Sequence, residues 1–287
     1  MSAIYHKEVK GFLSSMIGYV CIAFLLAVTG IYFTAYHLQA AYPRFSFTLQ
    51  GILFVFLIAV PVLTMRVLAE ERHQKTDQLL LTSPVSITGI VLGKYLALVT
   101  IFLIPIIIIA LYPLILMQFG TVSLPMAYTS LAGFFLLGCC FLAIGMYLSS
   151  VTESQVIAAV LTFLVLFVCY VIPGISSFFP ETASASFYIL LIAAVVLTLP
   201  VYCMTHYTLS TLLFGLMAGL LLTVFYITVP SLYEGLVQKL LYAFDISSHF
   251  SEFAAGVLDV TGIVYYLSMI GVCLFLTVQS IQKRRWS

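Results

Sequence analysis

Charge is what this chain has least of. Of its 287 residues, 11 are Lys or Arg and 10 are Asp or Glu, 7 % together, while 63 % are hydrophobic. A mean hydropathy of +1.19 excludes a soluble globular protein, because no folded surface could hide that much apolar area from water. A net charge of +1 offers no field that would gather nucleic acid, so no nucleic-acid partner is expected. Asparagine is absent, and with it every N-glycosylation sequon. The stretches between apolar runs are too short to fold as separate domains, so one transmembrane domain over 1–287 is expected.

The groups that mark active chemistry inside a membrane are missing as well. Ion-coupled transporters and proton relays place ionisable residues within their spans, but the middle of every apolar run here has none. Ser176 and Ser177 have no His or carboxylate beside them and no H-E-x-x-H occurs, which removes intramembrane proteolysis. The nearest approach to a nucleotide loop, Gly89 to Gly93-Lys94-Tyr95, is one residue short and has Tyr where the magnesium-binding Ser or Thr belongs. The chain therefore reads as a non-enzyme with no cofactor or metal of its own. Cys21, Cys139, Cys140, Cys169, Cys203 and Cys273 all lie in or beside apolar runs and form no C-x-x-C. They read as polarisable packing residues, with the adjacent Cys139 and Cys140 the one candidate pair for copper or redox chemistry.

Long apolar runs are what the sequence does supply. A spanning helix needs about 20 apolar residues, and eight runs qualify: 17–36, 49–68, 92–117, 126–148, 156–178, 187–204, 209–229 and 262–281. The sixth and seventh are separated only by Thr205 to Thr208, so 187–229 is either two crossings or a hairpin that stops short. The expected fold class is an all-α integral membrane protein, a polytopic helical bundle of about eight transmembrane helices with both termini cytoplasmic. Lys and Arg gather on the cytoplasmic side, and this topology puts Lys7, Lys10, Arg66, Arg72, Lys75, Lys94, Lys283, Arg284 and Arg285 there, with only Arg44 and Lys239 outside. The first run is too long for a signal-peptide core and lacks a small-residue cleavage site, so it is expected to be retained. Gly215 and Gly219 fit a small-x-x-x-small packing motif, within the subunit or between copies. Pro61, Pro105, Pro113, Pro173 and Pro200 are expected to bend their spans.

One dense patch of charge interrupts this pattern: Arg66, Glu70, Glu71, Arg72, Lys75 and Asp77, between the second and third runs. Leu79, Leu80 and Leu81 follow, then Pro84, which would end a helix. Three consecutive leucines on a polar segment suit contact with a soluble partner better than a bare solvated loop. A second polar island, 230–261, carries Leu232, Leu236, Leu240 and Phe244, then Phe250, Phe253, Ala254 and Val257, at helical spacing. Two short amphipathic helices on the outer side are expected there.

Glu70-Glu71-Arg72, Thr76, Leu79-Leu80-Leu81-Thr82-Ser83-Pro84-Val85 and Gly93-Lys94 together resemble the signature between the second and third spans of type-2 ABC exporter permeases. The gliding-motility and nitrous-oxide-reductase-maturation branch is the most similar. The resemblance extends to Lys7-Glu8-Val9-Lys10 and Gly18-Tyr19, and to Phe250-Ser-Glu-Phe253, Gly256-Val-Leu-Asp259, Val264-Tyr-Tyr266 and Lys283-Arg-Arg-Trp286, so it covers 1–178 and 245–287. The family often has Gly where this chain has Lys75, and 187–229 is extra to its six-span core. The resemblance implies a multi-pass bacterial cell-membrane permease that moves a substrate outward; the charge-free interior suits an apolar or amphipathic one, a lipid, peptide or antibiotic. The permease would pair with a second copy or a related permease and draw on a separate ABC ATPase subunit, which would hold ATP and Mg. Within the segment 69–91, Leu79, Leu80 and Leu81 would supply apolar contact to that ATPase, Arg66, Glu70, Glu71 and Arg72 a charged rim, and Thr76 and Pro84 the frame. An amphipathic helix near the N-terminus would lie along the cytoplasmic face. Phe250, Phe253, Gly256 and Asp259 would belong to an outer gate, or to a simple interfacial anchor. The alternative function is a non-transporting scaffold that recruits a soluble ATPase or maturation factor.

Overall fold

A computed structural model describes residues 1–76, 86–118, 122–192, 194, 208–228, 233–243 and 245–286. In chain order its helices are α1 (Ser2–Ser14), α2 (Met16–Phe33) prolonged by a π-helical Thr34–Gln39, α3 (Ser46–Thr64), α4 (Arg66–His73), α5 (Ile87–Ile109), α6 (Tyr112–Leu116) and α7 (Leu124–Val151). They continue as α8 (Gln155–Ser176), α9 (Ala183–Ile192), α10 (Thr208–Thr228), α11 (Leu236–Ala243), α12 (Ser248–Ala254) and α13 (Val260–Trp286). No strand occurs among the described residues.

Among those residues, six stretches are long and apolar enough to cross a bilayer: Met16–Gln39, Ser46–His73, Ile87–Leu116, Leu124–Val151, Gln155–Ser176 and Val260–Lys283. They correspond to the first five expected runs and the last, and the fold is an all-α polytopic membrane protein. The seventh run is the helix α10, while most of 187–204 and residues 205–207 of the link, with Cys203 and Pro200, lie outside the described residues.

The chain divides into two compact units, Met1–Val168 with Ile246–Ser287, and Cys169–Asp245. In the first, α3 and α7 form the core, with 67 % and 72 % of their apolar windows buried against 28 % for the span that contains α2. Glycine lets the two helices run side by side, as small residues do where packing alone must hold helices together in lipid. A Cβ on Gly138 would stand 2.3 Å from Phe102 and 3.1 Å from Phe56, and one on Gly145 would stand 2.4 Å from Thr64 Oγ1. Phe56 in turn lies 5.1 Å from both Phe102 and Phe134. Cys139 and Cys140 are buried in α7, and neither they nor Cys21, Cys169 or Cys273 form a disulfide.

Pro61, which has no N–H to give, sits near the end of α3, and α4 follows after the single residue Met65. The second apolar stretch therefore continues to His73, so the charges from Arg66 to Arg72 prolong it in helical form, where the sequence reading ends the run at 68 and begins the coupling segment at 69. The second unit is organised by aromatics. Phe187 stacks on Tyr226 at 4.6 Å, and Tyr233 Oη donates to Leu222 O at 2.8 Å. Its α11 is the first expected amphipathic helix, but Val237 is its buried residue and Leu240 is 48 % exposed; Leu232 and Phe244 fall outside the described residues.

Candidate functional site

Most of the charge in the first unit collects at one end, where α1, α4, the start of α5 and the end of α7 meet. Lys94, 1 % exposed, donates to Glu8 Oε1 on α1 at 2.9 Å, to Glu71 Oε1 on α4 at 2.8 Å and to Val67 O at 3.0 Å. A buried ammonium is tolerated only when its charge is matched and its protons are used. Two carboxylates overmatch it, and the exposed Lys7, 3.8 Å from Glu71 Oε1, brings the group back to neutrality. One turn away Arg66 grips Glu70 in a two-pronged pair, Nε to Oε2 at 2.5 Å and Nη2 to Oε1 at 2.9 Å.

Arg72 turns to the opposite side. Its Nη1 donates to Ser150 O and, at 3.0 Å, to Thr152 O, carbonyls at the C-terminus of α7 that lack helical partners and carry the negative end of the helix dipole. Ser149 completes the join: its Oγ accepts from Leu68 N at 3.3 Å and Ala69 N at 3.1 Å and donates to Met65 O at 3.1 Å. Those two amides are among the four that open a helix without internal partners, so α7 supplies the cap that α4 lacks in its own sequence. At its other end α4 closes in a Schellman turn, with Thr76 N bonded to Glu71 O at 3.0 Å and Lys75 N to Arg72 O at 3.1 Å. Lys75 has φ 56, the left-handed conformation that favours glycine, at the position where the resembled permeases often have it. A cleft of about 330 Å³ opens between α1 and α4, lined by Lys7, Glu8, Phe12, Arg66, Glu70 and Glu71 among others. Leu79, Leu80, Leu81 and Pro84 lie outside the described residues.

At the far end of the unit, α12 packs on α7. Phe250 and Phe253 are both 0 % exposed. Phe250 sits 6.1 Å from Phe134, and a Cβ on Gly133 would stand 2.4 Å from that of Phe253. Val257, expected on the same face, is 56 % exposed. Gly256 turns the chain at φ 88. Asp259 then opens α13, accepting from Thr261 N at 2.9 Å and Gly262 N at 2.7 Å. The Thr261 amide above all, with that of Gly262, holds its carboxyl below the ordinary aspartate range.

The structure thus brings Arg66, Glu70, Glu71, Arg72 and Thr76 onto one short helix and its closing turn, but Glu71 and Arg72 are committed within the chain. Phe250 and Phe253 act together, whereas Gly256 and Asp259 shape the turn behind them. Sequence reasoning names Glu8 and Lys94 only within the resembled motifs and, for Lys94, among the cytoplasmic cations, with no role at the site, and passes over Ser149, Ser150 and Thr152. A signal existed for one of the five: Lys94 is the only charged residue between Asp77 and Glu153, and a lone cation at the edge of an apolar run calls for a carboxylate. The serines carry no comparable mark.

Residues 38–284 match the family model for the ABC-2 family transporter protein, a range that runs through 187–229. No curated protein matches the chain. With six apolar helices able to span a bilayer and the match extending over most of its length, the chain belongs to the ABC-2 transporter family and is a membrane permease component of an ABC transporter.

Proposed function

We propose that this permease is the transmembrane half of an ATP-driven exporter of the gliding-motility and nitrous-oxide-reductase-maturation type, in a bacterial cytoplasmic membrane. It works as a pair of permeases with two ATPase subunits on separate chains and moves an apolar or amphipathic substrate outward. Residues 69–91 form the coupling segment, and Leu79, Leu80 and Leu81 make its apolar contact with the ATPase. The observation that supports this reading most is the anchoring of α4. A helix that leads directly into the leucine segment is tied to α1 and α5 through Glu71, Lys94 and Glu8, and to α7 through Arg72 and Ser149. A push on 77–85 therefore meets a braced element, which a solvated loop would not need. Within the rim, Arg66 and Glu70 are the charges available to a partner, while Glu71 and Arg72 brace the helix from behind.

The reading predicts that the purified chain hydrolyses no ATP, and that turnover appears only when an ATP-binding-cassette subunit is co-expressed with it. Leu80→Asp places a carboxylate in the proposed apolar contact, and it should abolish co-purification of that subunit while leaving the thermal unfolding of the permease unchanged. Gln50→Ala, at the far end, should do neither. Wild-type assembly and turnover with Leu80→Asp would return the function to a scaffold or another docking site.

A further inference from the structure

Two helices reach both ends of the first unit, α7 and α13, and α7 is bonded directly to α4. At the charged end, α7 caps the amides of α4 through Ser149 and takes the Arg72 guanidinium on its last carbonyls. At the other end its Gly133 receives Phe253 and its Phe134 meets Phe250, so α12 rests chiefly on α7. Gly133 and Ser149 are sixteen positions apart on one helix, about 24 Å at 1.5 Å per residue. The interior of α7 has no proline, its Pro125 standing at the first turn, whereas α3 carries Pro61 and α5 carries Pro105 within their lengths. Proline interrupts the backbone ladder and lets a helix flex. Among α3, α5 and α7, α7 is therefore the helix with an unbroken backbone ladder between the ends, and it is bonded directly to α4. Its close-packed neighbours, Thr64 at Gly145 and Phe102 at Gly138, leave it little room to bend.

We propose that α7 carries displacement of α4 to α12, with Arg72 and Ser149 as the positioning residues that fasten α4 to it and Phe253 as the contact that delivers the movement. Arg72 and Ser149 bond within the chain, between α4 and α7, and decide whether the two move together. What drives α4 rests on the exporter reading above, but the linkage between α4 and α12 is a property of this chain alone and can be tested without an ATPase.

The experiment is amide hydrogen exchange on the full-length chain in lipid nanodiscs. In the double variant Ser149→Ala with Arg72→Gln, exchange should rise in 66–73 and, by about fivefold, the scale of a modest coupling between distant sites, in 248–254. Linkage is reciprocal, so Phe253→Ala should raise exchange in 66–73 by a similar factor. Arg72→Lys, which keeps a cation able to reach one carbonyl, should fall between wild type and Arg72→Gln. Residues 40–48, the link between α2 and α3, should be unchanged in every variant. Two results overturn the proposal: loosening of 66–73 with 248–254 at the wild-type rate, or a rise in 40–48 equal to that in 248–254, which marks general loosening of the fold. Because no partner is present, failure here leaves the exporter reading standing, and failure of an ATPase to bind leaves this result standing.

Discussion

Lys94 shows how far one residue can set the terms for its neighbours. Its ammonium is 1 % exposed and holds Glu8 and Glu71 at 2.9 and 2.8 Å, so three helices depend on one charge. Breaking a buried pair by removing one member leaves uncompensated charge behind, at a cost of about 3–5 kcal/mol. Lys94→Ala should therefore lower the thermal midpoint sharply in detergent, and Glu71→Ala should lower it too, since Lys94 would keep only Glu8 and a carbonyl. The triple variant Lys94→Leu with Glu8→Gln and Glu71→Gln should recover most of the loss, because a matched neutral set carries no stranded charge. Recovery no better than in Lys94→Ala would show that packing at 94, not charge balance, is what matters. The sequence marks Glu71 and Lys94 as polar residues on the cytoplasmic side, yet their pairing depends on α1 and α4 folding against α5. Nothing in local spacing shows that residue 8 will stand beside residues 71 and 94.

Elements are legible where the pattern is periodic and hidden where it is set by another helix. The periodicity that predicts α12 works because an amphipathic helix writes its buried side at every third or fourth position, and Phe250 and Phe253 are that side; for α11 the same reading finds the helix but not its buried face, which is Val237 and not Leu240. The start of α4 could not be read this way, since its cap is a serine on α7. The π-helical turn Thr34–Gln39 was equally unmarked, and there His37 bridges Tyr42 O at 2.5 Å and Thr48 Oγ1 at 2.8 Å to close the α2 to α3 link. The end of α4 is different, because Lys75 occupies a left-handed position at φ 56 that costs a residue with a Cβ about 1–2 kcal/mol. Lys75→Gly should stabilise the closing turn by up to about 1 kcal/mol once the greater freedom of glycine in the unfolded chain is set against that gain. Slower amide exchange at Lys75 and Thr76 would register it. An unchanged or faster rate would mean that the lysine side chain contributes more to the turn than its Cβ costs.

Over the whole molecule, the sequence shows the class of fold because a bilayer imposes a length that short stretches cannot imitate. Six helices of the described residues have that length, and the match over 38–284 supplies the family. The orientation inferred from the distribution of Lys and Arg has a direct check. Gln74→Cys, beside the closing turn of α4, and Ser251→Cys, on the exposed side of α12, should react with a membrane-impermeant maleimide from opposite faces, the first only from the cytoplasm. Labelling of both from one side would overturn the topology. The buried lysine has a further consequence, which concerns the order of synthesis. Glu8 and Glu71 both precede Lys94 in the chain, so when the ribosome releases α5 the two carboxylates that will neutralise its cation have already been made. Each ionic partner is in place before the charge that needs it, and the nascent chain need not hold Lys94 at the bilayer edge while waiting for a later segment. A circular permutation that moved α1 behind α13 would make Glu8 arrive after Lys94 while Glu71 still precedes it, exposing whether the order of arrival of that one partner matters to insertion.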